Sequence, residues 1–164
     1  MLKTKLLILL YNNSMRTLII IRFVLLFSNC NGYQPIFDSS GLNFYLKEIT
    51  LKDDSSISRY LSKRLEPLRS NTEKKPLIIE IKSSKEENVI SRDSKGDPSI
   101  FELIVEINIE VLNQNPKKKF SLKESSNYDN QQNKFELEQY KQNLTKTLTD
   151  NIAEKLITRL RETD

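Results

Sequence analysis

From residue 100 to residue 112 the chain alternates without a break. Phe101, Leu103, Val105, Ile107, Ile109 and Val111 take every second position, with Glu102, Ile104, Glu106, Asn108 and Glu110 between them. A period of two sustained over more than ten residues is the pattern of a long strand with one dry face and one wet one. Asn113–Pro116 then makes a turn, and Lys117–Tyr128 returns as a second strand whose lysines stand opposite the glutamates of the first.

Around this pair the remaining elements follow from local pattern. Asn43–Leu51, with Phe44, Tyr45 and Ile49, reads as a strand. Asp53-Asp54-Ser55-Ser56 supplies helix caps, and Ile57, Tyr60, Leu61, Leu65 and Leu68 follow at helical spacing until Pro67 ends the helix near Glu66. Leu77–Lys82 is predicted to be a short strand with Leu77, Ile79 and Ile81 on one face. Ser83–Pro98, polar and ending in Gly96-Asp97-Pro98, is predicted to be a turn or mobile loop. Phe135, Leu137, Tyr140, Leu144, Leu148, Ile152, Leu156 and Leu160 recur at steps of three and four, which makes one closing helix of about 25 residues. The order β-α-β-β-β-α predicts an α+β fold, a four-stranded sheet with two helices packed on one face.

Composition limits what such a domain can do. The chain has 164 residues, one domain's worth, with no His and one Cys. Without His, most acid–base and nucleophilic triads are excluded, and with a single Cys so are ordinary zinc sites and an intrachain disulfide. The net charge of +4 belongs to the first 29 residues, which hold Lys3, Lys5, Arg16 and Arg22 and no acid. From Cys30 onward, 22 basic residues face 22 acidic ones, so no surplus of cations supports a nucleic-acid partner. Ala153 is the only alanine in a chain rich in Lys, Asn and Ile. That is the bias of an AT-rich genome, and it lowers the weight of any single lysine.

Those first residues read as a leader. A basic start, an apolar run from Leu18 to Phe27 interrupted by Arg22, and Ser28-Asn29 ahead of Cys30 form a secretory signal peptide over 1–29, with Met15 the expected start. The run is shorter than the roughly 20 residues of a comfortable membrane span. Cys30 falls where it stops, the position of the acylated cysteine of a bacterial lipobox, and is the predicted lipidation site. Of the three residues before it only Ser28 fits the usual lipobox, so an uncleaved anchor stands as the other reading. Lipidation would place a diacylglycerol and an N-acyl chain on Cys30, and no other cofactor is predicted. Each buried methylene contributes about 0.8 kcal/mol, which fixes a two- or three-chain anchor durably. Residues 30–42 are a lipidated tether and 43–164 the single domain.

The mature N-terminus, Cys30-Asn31-Gly32-Tyr33-Gln34-Pro35-Ile36-Phe37, together with this element order, resembles the LPS-assembly lipoproteins of the LptE family, particularly the alphaproteobacterial form. That group shows Cys-Gly-aromatic-x-Pro-aliphatic-aromatic at the same place, and Asn31 is one residue inserted into it. The resemblance covers nearly all of the chain after Cys30. It implies an outer-membrane lipoprotein on the periplasmic side, with no enzymatic activity. Such a protein plugs an LptD-type β-barrel, helps the barrel assemble and aids lipopolysaccharide insertion into the outer leaflet. Its implied partners are the barrel, lipopolysaccharide and the outer membrane. The alternative class is an independent lipoprotein serving another periplasmic ligand or envelope complex.

Under this resemblance Lys117, Lys118, Lys119 and Lys123 become candidates for lipid A phosphates, with Arg92 and Lys95 weaker ones. The plainer reading, which carries more weight, is a solvated edge strand where lysines discourage strand addition. Glu102, Glu106 and Glu110 on one strand face are better read as solvated or Lys-paired than as a Ca²⁺ site. Asp53-Asp54 is better read as a helix cap than as a metal site.

Overall fold

The computed structural model describes residues 41–69 and 73–162. The leader, Cys30 and the tether up to residue 40 lie outside them. The elements are β1 (Phe44–Leu51), α1 (Ser56–Leu65) continuing into a 3₁₀ turn (Glu66–Arg69), β2 (Lys75–Arg92), β3 (Pro98–Val111), β4 (Lys118–Asp129) and α2 (Lys134–Glu162). The strands lie in the order β1-β2-β3-β4, with β1 parallel to β2 and the other two pairs antiparallel. This is the predicted α+β architecture.

The alternation of β3 behaves as a strand of that period must. Leu103, Val105, Ile107, Ile109 and Val111 are buried in one cluster with Leu77, Ile79 and Ile81 of β2, while Asn108 is exposed. Ile104 is the exception, buried on the opposite face. In β1 the apolar residues change parity, from Phe44 and Leu46 to Ile49 and Leu51. A bulge between Leu46 and Glu48 inserts the extra residue that lets both pairs face the core.

The first helix starts where Ser55, in extended conformation, accepts the Ser58 amide on its Oγ at 3.0 Å. It buries Ile57, Leu61 and Leu65, and the 3₁₀ turn adds Leu68. On α2 the expected stripe is buried only in its second half, at Leu148, Ile152, Leu156 and Leu160, with Ala153 and Ile157 beside it. In the first half Leu137 and Leu144 are partly buried, while Phe135 is 71% exposed and Tyr140 44%. None of the helices among the described residues is long and apolar enough to cross a membrane.

One prediction is corrected. Ser83–Pro98 is not a loop: β2 continues to Arg92 and pairs with β3 as far as Pro98, leaving a tip of Asp93–Asp97 with Gly96 at φ 87°. Arg92 therefore ends a strand. The segment lacks alternating hydrophobicity because its helix-facing side chains, Ser83, Lys85 and Glu87, stay partly or fully exposed beside the buried Val105 and Leu103 of β3. Its backbone groups on the β3 side are satisfied by the ladder, and Glu87 binds Lys141 of α2 at 2.6 Å.

Candidate functional site

The basic flank of the β3–β4 hairpin lies at one end of the uncovered sheet face. Registration places Lys119 opposite Glu110 and Lys123 opposite Glu106, as the alternation of both strands requires. Glu110 is the centre of the cluster. Its side chain is only 14% exposed, and it accepts Lys119 at 3.1 Å and Lys117 at 3.4 Å, with Lys52 at 4.0 Å. The hydrogen bond from Lys119 leads the effects that hold its carboxyl below the ordinary range. Lys52 also reaches Glu80 at 2.5 Å, and that bond raises the lysine's pKa. Beside these pairs an open hollow of about 300 Å³ is lined by Lys82, Asn108, Lys119, Phe120 and Ser121 among others.

Ion pairing divides the candidate residues. Lys117 and Lys119 share one carboxylate, so a phosphate arriving there meets partly neutralised charge. Lys118, one residue out of phase, registers with Val111, which points into the core. Lys123 makes no ion pair among the described residues, and Glu106 opposite it accepts the Ser121 hydroxyl at 2.7 Å. Arg92 and Lys95 sit at the far end of the sheet, at the β2–β3 tip, where Arg92 Nη1 donates to the Gly96 carbonyl at 2.9 Å. The structure thus gathers Lys117, Lys119 and Lys123 along one hairpin and leaves Arg92 and Lys95 remote from them. Cys30 lies outside the described residues. Among these there is also no group of three or more His, Cys, Asp or Glu placed to hold a metal ion.

Two features escaped the pattern reading. Asp53 is not the helix cap but a junction behind it. Its carboxylate accepts the Ser83 amide (3.0 Å), the Ser83 hydroxyl (3.0 Å), the Ser58 hydroxyl (2.9 Å) and the Ser55 amide (3.3 Å), joining the β1–α1 loop to the middle of β2. Partial burial works to raise its pKa, but the bonds from Ser55, Ser83 and Ser58 outweigh it and bring the carboxyl to about 2. Separately, a cleft of about 380 Å³ between the helices is bounded by Ser56, Tyr60, Lys85, Gln142, Lys146 and Thr149. The Tyr60 hydroxyl donates to Asp150, which also pairs with Arg64 at 2.8 Å. Both features join residues 25 or more apart in sequence, beyond the reach of local periodicity.

No protein-family model and no curated protein matches the chain. Solved structures do share its fold. Lipoprotein B of Nitrosomonas europaea superposes with a TM-score of 0.53 at 16% identity, covering 73% of this chain and 84% of that one. A putative lipoprotein of Caulobacter crescentus gives 0.52 at 12% identity over 71% and 88%. A minor lipoprotein of Acinetobacter baumannii gives 0.51 at 12% identity over 74% and 94%.

Proposed function

We propose that this chain is an outer-membrane lipoprotein of the LptE kind. It is anchored on the periplasmic side through acylated Cys30, plugs an LptD-type β-barrel while helping it assemble, and aids lipopolysaccharide passage to the outer leaflet. The observation that carries the reading is a coincidence of two independent features. The β-α-β-β-β-α fold is shared with bacterial lipoproteins over about seven-tenths of the chain, and the sole cysteine stands where an apolar leader ends. The role is one of binding and support, so catalysis is not asked of the side chains. Lipid A phosphates are to be met by Lys117, Lys118, Lys119 and Lys123, with Lys123 free to contribute its full charge and Arg92 too distant to join the same phosphate.

Pull-down of the full-length protein from detergent-solubilised membranes, read by mass spectrometry, tests this. A large β-barrel should be recovered in near-stoichiometric amount, and a Cys30→Ala variant should lose palmitate label and leave the membrane fraction. Recovery with no barrel, or with a different envelope complex, would favour the second reading, an independent ligand-binding lipoprotein. The cleft between α1 and α2 is the observation that favours that alternative.

A further inference from the structure

The sheet is one strand narrower at its polar end. β1 leaves β2 at Leu51, opposite Ile81, while β2 runs on to Arg92. The Lys52 amide donates to the Ile81 carbonyl on the β1 side at 2.8 Å, and the Leu112 amide donates to the Ile78 carbonyl on the β3 side at 2.8 Å. Odd residues of β2 therefore turn their backbone groups toward β1, and even residues toward β3. The register with β3 keeps this phase as far as Val89. Past the end of β1, the first amide of the odd row, Ser83, is capped by Asp53. The Ser83 carbonyl and the amides and carbonyls of Lys85 and Glu87 meet no partner among the described residues, and Ser84–Ile90 are all exposed.

That free edge borders the cleft between the helices. Odd side chains of β2 point to the helix side, so Lys85 is the floor of a cleft walled by Ser56 and Tyr60 of α1 and by Lys146 and Thr149 of α2. Ser83, bonded to Ser55, bounds it at one end and the Glu87–Lys141 pair at the other. Lys85 and Lys146 make no ion pair among the described residues, and the start of α1 adds its partial positive charge. The acids nearby are engaged: Glu138 lies 3.9 Å from Lys141, and Asp150, bonded to Tyr60, pairs with Arg64. A strand laid along β2 would send every second side chain toward the helices, and the one beside Lys85 would enter the cleft.

We propose that β2 from Ser83 to Val89 is a strand-addition site for an extended segment of a partner protein, one that carries an Asp or Glu side chain into the cleft between Lys85 and Lys146. The segment takes the line that β1 vacates, and its alternate amides and carbonyls pair with the odd row of β2. Main-chain bonds attach it whatever its sequence, and the two lysines select the acid. The edge is about 20 Å long, room for about seven residues, before the register with β3 breaks between Val89 and Ser91. The β4 edge is built differently. Lys118, Lys119 and Lys123 guard its first half against strand addition, and the Lys155–Glu124 bond ties α2 to its middle. One added strand leaves the chain a monomer, so the site is compatible with the barrel-assisting role and does not rest on it.

The test titrates the full-length protein in detergent with acetylated, amidated Thr/Val peptides of about seven residues whose central residue is Asp, Ser or Lys. The Asp peptide should bind about tenfold more tightly than the Lys peptide, and Lys85→Glu/Lys146→Glu should reverse that order with the thermal melt unchanged. N-methylation of the Asp peptide at alternate residues should abolish binding in one phase and spare it in the other, since only every second amide faces β2. On binding, the Lys85 and Glu87 amides should exchange more slowly, while the Ser121 and Lys123 amides of β4 keep their rates. Equal affinity for the three peptides, or binding by none of them, would overturn the proposal. Equal effects of the two N-methylation phases would show that the cleft holds an acidic side chain without strand addition, and protection on β4 instead of β2 would show that the wrong edge has been named; either result rejects it.

Discussion

The two ends of the sheet are held by different forces. Near Leu77–Ile81 and Ile107–Val111, strands, α1 and the second half of α2 close over a dry cluster of Leu and Ile side chains. Toward Ser83–Arg92 β2 carries lysine, glutamate and asparagine while β3 beside it still buries Leu103 and Val105, and α2 stands over them through Leu137, Leu144 and polar contacts. There the side-chain ties are the Glu87–Lys141 pair, the stacked rings of Phe101 and Tyr128 at 5.4 Å, and Tyr140 leaning on Tyr128 at 6.3 Å. The contrast teaches that a long strand can be specified at one end by burial and at the other by its backbone ladder. The second end is polar without being a loop.

The comparison breaks most readily in the core. Ile107→Asp should unfold the domain, since an unpaired charge at a fully buried site costs several kcal/mol, whereas Asn108→Asp next to it should leave the thermal melt nearly unchanged. Equal losses would show that the two faces have been misassigned. Along α2 the same logic runs end to end. Ile152→Ala should cost about 2–5 kcal/mol and Leu137→Ala about 1 kcal/mol or less, measured by denaturant titration. A smaller gap would mean the first half of the helix is held as firmly as the second.

Between the two ends lies Asp53, and its contribution is visible in pH. The folded carboxyl sits at about 2 against an ordinary 3.8, so its stabilisation is complete above 3.8 and is lost as pH falls toward 2. Asp53→Asn should cost about 1–3 kcal/mol at neutral pH and much less at pH 2, in melts compared across that window. The smallest effect is expected at the polar end. Burial opposes the ionised form of Glu87, but Lys141 and Tyr128 hold its pKa below the ordinary value. Glu87→Gln should cost well under 1 kcal/mol, and hydrogen exchange should quicken in Ser83–Arg92 while the Ile79 and Ile107 amides stay protected.

Much of this contrast was legible beforehand, and the part that was not has a physical reason. The alternation of β3 identified its dry face because a buried strand must repeat every two residues. Helical spacing located α1, and Ser55 among four candidates proved to be the cap. The second half of β2 left no trace, because Ser83 and Glu87 face polar partners, Lys85 borders the open cleft, and none shows a hydrophobic period. The bulge in β1 was hidden for the opposite reason, since Phe44, Leu46, Ile49 and Leu51 are all apolar and only pairing reveals the change of phase. At the basic flank the lysines were visible as a cluster and their pairing with the glutamates as a register. The convergence of Lys117 and Lys119 on one carboxylate depends on side-chain reach, which spacing does not encode.

The bulge in β1 also bears on the order in which the molecule assembles. An alignment slipped by one residue against β2 would turn both Phe44–Leu46 and Ile49–Leu51 outward, so β1 pairs in an alignment that keeps them inward. That alignment brings Phe44 to Lys75, across all of α1, whereas β3 and β4 meet across a short turn from Val111 to Lys118. Short loops close early and at small entropic cost, so the three-strand meander should form first and β1 should lock in last. Pulse-labelled exchange during refolding would show this as late protection of the β1 amides. A strand that arrives last acts as a check on the rest: it buries its apolar pairs only once β2 stands in place with its own core face formed.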